Sequence, residues 1–323
     1  HVLRAKINMS SPNMLMRDPV VYRAMEAKHH RTGDAWKIYP MYDWTHGESD
    51  YIEQVSHSLC TLEFEPHREL YDWFLDSISP LKGIRPKQRE FSRLNLSYTI
   101  TSKRNLAKLV EEGVVDGWDD PRMPTISGLR NRGYTPESLK SFALTVGISK
   151  RENVIDVSLL EFCVRTHLNE EAPRAMAVLD PLKISIINYN ENKEESVNFD
   201  INPQKPGQGK REILFSKNIY IEREDFQENP EEGFFRLSPG EEVRLKNAYI
   251  IKAKNIIKNE EGQITEVECE YDEKSKSGSN TEESNRKVKA TIHWVSAETA
   301  VEATINIYDR LFKVPEPGKA QDL

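Results

Sequence analysis

At Pro173 the apolar period of this chain changes from about 3.6 residues to two. One layer of secondary structure cannot bury both patterns, so the change demands a helical part and a separate sheet-built part. Before it, Thr135-Pro136-Glu137 reads as N-cap, first-turn proline and first-turn acid, with Leu139, Phe142 and Val146 following at helical spacing. Val157, Leu160 and Val164 repeat the pattern in a further helix. After it, Lys183–Asn188, Asn218–Glu222, Glu242–Ala253, Ile264–Tyr271, Lys287–Val295 and Thr304–Tyr308 alternate or are rich in β-branched residues. Val267, Cys269 and Tyr271 stand opposite Glu266, Glu268 and Glu270, the mark of a strand buried on one face. Many short antiparallel strands imply barrels or sandwiches, with Asn188–Gly209 and Asp272–Arg286 as polar loops.

The first third alternates instead. Lys37–Tyr42 reads as a strand, Pro66–Asp76 as a helix with Leu70, Trp73 and Phe74 on one face, Leu94–Ile100 as a strand and Asn105–Glu112 as a helix. That order suggests part of a parallel α/β sheet. No apolar run approaches the roughly 20 residues a membrane span needs. Cys60, Cys163 and Cys269 are few and far apart, which argues against a disulfide framework and for a reducing compartment.

The net charge of -7 is unevenly spread. Between Lys82 and Arg104 seven basic residues (Lys82, Arg85, Lys87, Arg89, Arg93, Lys103, Arg104) face Glu90 alone, and Arg122, Arg130 and Arg132 form a second cationic stretch. In an acidic chain such stretches point to phosphate contact. Ile38–Phe64 interleaves aromatic, acidic, histidine and cysteine residues where a packed element would place aliphatics, the composition of a pocket for a small polar ligand. The loop YTITSKR, Tyr98–Arg104, ends in a turn, Thr101–Arg104, that offers two hydroxyls and two cations before a helix. Mobile cations there suit a reaction that builds negative charge on phosphate oxygens. Asp119 and Asp120 diverge as neighbours do and read as turn and capping residues. His57 and Cys60 form an H-x-x-C, and His29 and His30 are adjacent, but no second ligand pair lies at zinc-site spacing, so no metal is expected.

The segments Ile38–Phe64, Arg85–Arg104 and Gly117–Thr125, the last including WDDPRMPT, resemble the glutaminyl-tRNA synthetases, a class I aminoacyl-tRNA synthetase family, and the resemblance extends to Leu323. It implies a multidomain α/β plus all-β chain: the second half of a Rossmann-type nucleotide fold, a helical subdomain, then two antiparallel anticodon-binding β-barrels. The implied divisions are 1–36, the tail of an acceptor-stem-binding insertion; 37–104, the catalytic half-fold with the SKR loop; 105–171, the helical subdomain; 172–186 with 295–323, an incomplete proximal barrel; and 187–294, the distal barrel. SKR is similar to the second class I signature loop, which implies that Lys103 stabilises the departing diphosphate with help from Ser102 and Arg104. Thr101 stands where methionine is usual. Tyr42, Cys60, Phe64 and Gln88 align with the glutamine site. Glu65 aligns with an acceptor-stem contact, and Arg174, Arg236, Arg244 and Lys246 with anticodon contacts.

The resemblance further implies ATP with Mg2+ as substrate and no protein-bound metal. L-glutamine and tRNA(Gln) are the implied partners, with no membrane, and the chain is expected to be a cytoplasmic monomer. The glutamyl-tRNA synthetases of archaeal and eukaryotic type share most of these motifs. They characteristically place arginine at position 60, because a carboxylate substrate demands a charge-assisted partner; cysteine there favours glutamine. The first class I signature, His-Ile-Gly-His, is absent, so the chain is expected to be an inactive fragment of a larger ligase, with a non-catalytic tRNA-binding module as the alternative.

Overall fold

In a computed structural model the described residues are 1–78, 82–191, 193 and 195–319. The chain divides into two compact units, His1–Cys163 with Arg310–Leu323, and Val164–Asp309. The first unit opens with an antiparallel sheet of β1 (Val2–Arg4), β2 (Val20–Ala24) and β3 (Ile38–Pro40). Strand β3 ends where Tyr42 begins a helix, α1 (Tyr42–Ile52), so the expected strand Lys37–Tyr42 is shorter and Tyr42 occupies a first helical turn. A parallel pair follows, β4 (His57–Thr61) with β5 (Lys87–Phe91). The connection that parallel pairing requires is a 3-10 turn, Leu62–His67, and α2 (Arg68–Ser77). Pro66 lies in the 3-10 turn, because the ring cannot sit inside the α-helix, so α2 starts two residues later than expected. Its apolar face buries Leu70, Tyr71, Phe74 and Leu75; Leu70 and Phe74 join Met16 and Val21 in one core, with Trp44 and Trp73 packed at its edge.

A second parallel pair joins β6 (Asn95–Leu96) to β7 (Val154–Ile155), so the expected strand Leu94–Ile100 shrinks to two residues. Ser97–Ile100 turns inward, with Ile100 buried beside Leu106, Leu109, Val115 and Met123. Between these strands lie α3 (Lys103–Glu111), α4 (Ile126–Asn131) and α5 (Pro136–Val146), and α6 (Val157–Glu171) follows. The α5 start is as read: the Thr135 side chain accepts from the Ser138 N–H and Pro136 fills the first turn.

In the second unit, seven strands form one sheet in the order β15-β12-β13-β14-β8-β11-β16, with β8 (Pro181–Ile186), β11 (Asn218–Glu222), β12 (Glu242–Leu245), β13 (Ile250–Lys258), β14 (Ile264–Tyr271), β15 (Thr291–Ile292) and β16 (Val295–Ser296). The sheet is mixed, since β14 pairs with β8 and β12 with β15 in parallel. Two antiparallel barrels are therefore not what is seen, and strands expected in both barrels share this sheet. Its edge strands β15 and β16 are separated by His293 and Trp294 alone, so the sheet must curl back towards itself. Trp294, fully buried, packs edge-on against Phe215 at 5.1 Å.

Three further expectations change. Glu242–Ala253 is a hairpin, closed at Asn247 with φ 59°, a left-handed conformation that asparagine tolerates. The supposed loop Asn188–Gly209 contains β9 (Glu195–Asp200), paired with β10 (Lys210–Phe215); residues 192 and 194 lie outside the described residues. Thr304–Tyr308 alternates yet pairs with nothing among the described residues, and Ile307 stands exposed. A strand needs a neighbour to satisfy its backbone.

Candidate functional site

The polar-aromatic segment folds into a wall of interlocking side chains. Because α1 begins at Tyr42, positions 42, 46 and 50 share one helix face. The Tyr42 hydroxyl lies 3.1 Å from His46 Nδ1, and His46 Nε2 lies 3.6 Å from Asp50 Oδ2. Asp50 also accepts from the Ser58 hydroxyl, which contacts the Tyr71 hydroxyl at 2.7 Å. Gly47 lets this packing form, since a Cβ there would meet the Tyr71 ring at 3.1 Å. The Tyr42 hydroxyl and His46 Nδ1 share one hydrogen bond, whose direction follows the imidazole tautomer. In either direction the Tyr42 oxygen keeps a free lone pair, at a position 46% exposed.

Phe64 stacks against Tyr42 with ring centroids 4.7 Å apart, and against His67 at 5.0 Å. His67 in turn lies 2.6 Å from Asp43. Gln88, buried on β5, donates to the Phe64 carbonyl at 2.8 Å and to Glu90 at 2.9 Å. Cys60, on β4, is buried, and burial pushes its thiol up, with Glu90 adding to the effect and Arg68 opposing it. The thiol is a neutral wall. The structure thus joins Tyr42 to Phe64 and Phe64 to Gln88, and sets Cys60 on the neighbouring strand within the same electrostatic environment.

Sequence reasoning missed what holds this wall. The Glu90 carboxylate is fully buried, gripped by both nitrogens of an Arg68 fork, and Lys150 lies at 3.5 Å. Burial alone would raise its pKa, but the Arg68 and Gln88 hydrogen bonds more than offset that and hold it at about 2. The signal was in the sequence: Glu90 is the single acid in the basic stretch. Arg85 from the same stretch is tied to Asp72 and Asp76 on α2.

Lys103 and Arg104 do not ride on a flexible loop; they form the exposed first turn of α3. Ser102 occupies the N-cap position but its hydroxyl caps nothing, and no acid balances the turn. Two cations at the positive end of a helix dipole are electrostatically disfavoured by roughly 0.3–1 kcal/mol each, which makes this end a place for an anion. In the second cationic stretch Arg122 forks onto buried Asp120, which also accepts the Asp116 and Arg122 N–H groups.

In known proteins, the family model for class I tRNA synthetases (E and Q), catalytic domain, matches residues 1–170 of this chain. The chain belongs to this family. Models for the anti-codon binding domain of the same E and Q synthetases match 172–272 and 291–323. Among relatives, the glutamine–tRNA ligase of Rhodopirellula baltica is 54% identical over 321 residues, 99% of this chain and 52% of that protein. Those of Neisseria gonorrhoeae (55%, covering 98% of this chain and 56% of that one) and Aliivibrio fischeri (54%, 99% and 57%) are similar. The chain spans about half the length of the curated relatives it matches.

The remaining site residues expected in this chain are scattered and mostly engaged. Glu65 is exposed, 3.8 Å from Lys150. Arg174 donates to the carbonyls of Leu168, Asn169 and Ala172, closing the end of α6. Arg236 pairs with buried Asp225. Arg244 donates to the carbonyls of Ser275 and Ser284 and so organises the 272–286 loop; Lys246 is exposed. Among the described residues, no group of three His, Cys, Asp or Glu side chains is placed to hold a metal, and no helix is long and apolar enough to cross a membrane.

Proposed function

We propose that this chain supplies the glutamine-recognising wall and the leaving-group cations of a glutamine–tRNA ligase. The observation that carries the reading is the half-exposed Tyr42 hydroxyl beside Phe64, hydrogen-bonded to His46 and with a lone pair left to accept. A glutamine amide brings two N–H donors, whereas a glutamate carboxylate brings none. With Cys60 neutral and Arg68 already neutralised by Glu90, no free cation among these groups rewards a carboxylate. Phe64 closes the apolar side of the side chain. ATP enters as its magnesium complex. The glutamine carboxylate attacks the α-phosphate and diphosphate leaves toward Lys103 and Arg104, with Ser102 assisting; the adenylate then acylates the 3′ end of tRNA(Gln).

On this reading the divisions 1–36, 37–104, 105–171, 172–186 with 295–323, and 187–294 keep the substrate- and tRNA-binding roles given above, with one curled mixed sheet in place of the two barrels, in a cytoplasmic monomer. Exposed Lys246 and half-exposed Arg236 suit direct anticodon contact, while Arg174 and Arg244 brace the segments that present it; Glu65 faces the acceptor stem. The test is glutamine-dependent ATP–pyrophosphate exchange, with tRNA present, in a synthetase of the relatives' full length carrying residues 1–323. Lys103→Ala is expected to cut exchange by about 100-fold or more, and a loss under about tenfold would count against the assignment.

A further inference from the structure

The turn that delivers Lys103 is fastened at consecutive residues. The Ser97 N–H donates to the Ile155 carbonyl at 2.9 Å, and the Ser97 hydroxyl accepts the Val157 N–H at 3.0 Å. Ile100 is buried, two residues before Ser102. Tyr98 between them adopts φ 54°, a left-handed conformation unfavourable for a bulky aromatic and kept only when surroundings enforce it. The enforcement comes from more than 200 residues away in sequence. The Tyr98 N–H donates to the Pro315 carbonyl at 2.8 Å. The Arg310 guanidinium lies over the Tyr98 ring, 4.4 Å from its centroid. Leu311 and Phe312 pack against the cluster of Ile100, Leu106, Leu109, Val115 and Met123, which is the underside of α3. Arg310 is itself held 3.8 Å from Glu161 on α6.

We infer that residues 310–315 form a latch, with Arg310 and Tyr98 as its positioning residues, that fixes the first turn of α3 so that Lys103 points where diphosphate departs. This rests on the reading of Lys103 given above. The latch acts on geometry: a planar cation on an aromatic face resists the ring motion that Tyr98 would need to leave its strained conformation. Residues 310–315 fall within the stretch matched by an anti-codon binding model, yet they fold into the unit that carries α3.

The experiment measures amide hydrogen exchange across the 323-residue chain, together with titration of inorganic pyrophosphate. Arg310→Ala should speed exchange at Thr99–Leu106 by about tenfold and weaken pyrophosphate, leaving α2 and the β13–β14 amides unchanged. Arg310→Lys, which keeps charge but not the planar face, should fall between. Tyr98→Phe should match the parent, and Tyr98→Gly, which relieves the positive φ but removes the ring, should resemble Arg310→Ala. Unchanged exchange at Thr99–Leu106 in Arg310→Ala would overturn the latch, as would faster exchange with unaltered pyrophosphate affinity. Lys103→Ala separates the two readings: if it binds pyrophosphate as the parent does, the Lys103 assignment fails whatever Arg310→Ala does to exchange.

Discussion

Tyr42, Glu90 and Cys60 each do their work through a neighbour's chemistry. Removing the Tyr42 hydroxyl (Tyr42→Phe) deletes the acceptor at a site 46% exposed, so stability should hardly change. Steady-state kinetics should register a loss of about 10- to 100-fold in kcat/KM for glutamine, the cost of leaving a donor unpaired. Glu90 sets an acid limit. Its folded pKa of about 2 lies below its ordinary 4.5, so the pair with Arg68 contributes fully above about pH 4.5 and is lost as pH falls towards 2. The contribution is on the order of 2 kcal/mol, after allowance for the partly exposed Arg68. Glu90→Gln should remove that pH dependence from urea unfolding of the first unit; an unchanged slope between pH 4.5 and 2 would mean the pair is not the source.

Among the elements, α3 and α5 make a controlled contrast. Thr135 caps α5 through its side chain and Ser102 caps nothing, so Thr135→Ala should cost about 1 kcal/mol and Ser102→Ala close to zero. Lys103→Gln relieves a cation at the positive end of α3 and should raise stability by about 0.3–1 kcal/mol while abolishing exchange, a trade between stability and function that thermal melts would expose. The α5 start was legible because its cap, proline and acid are local signals. Helix α1 was not, because Tyr42, Trp44, Tyr51 and Ile52 give no continuous apolar stripe and its polar face packs into the site. The hairpin within Glu242–Ala253 escaped because alternation runs unbroken through a turn carried by one asparagine. The pairs Arg68–Glu90 and Asp50–Ser58 join different elements, and nothing in a local window reveals which strand lies beside which.

For the whole molecule, the two units carry separate cores and separate thiol reporters. Cys269 is completely buried in the second, its thiol pushed up to about 12 by burial, while Cys60 lines the first. Labelling with a thiol reagent should therefore modify Cys60 well before Cys269, and equal rates would contradict the burial argument. The change from helix to strand around Pro173 and the family were readable from sequence; the mixed, curled sheet was not, because the joining of β15 to β16 through His293 and Trp294 is a property of topology. The most direct measurement is parallel charging of total tRNA with labelled glutamine and labelled glutamate by a synthetase of the relatives' length carrying residues 1–323. The account predicts glutaminyl-tRNA in excess of glutamyl-tRNA by about 100-fold or more, within the discrimination that a site built to hydrogen-bond its substrate supports. Glutamate charged as well as or better than glutamine would contradict it.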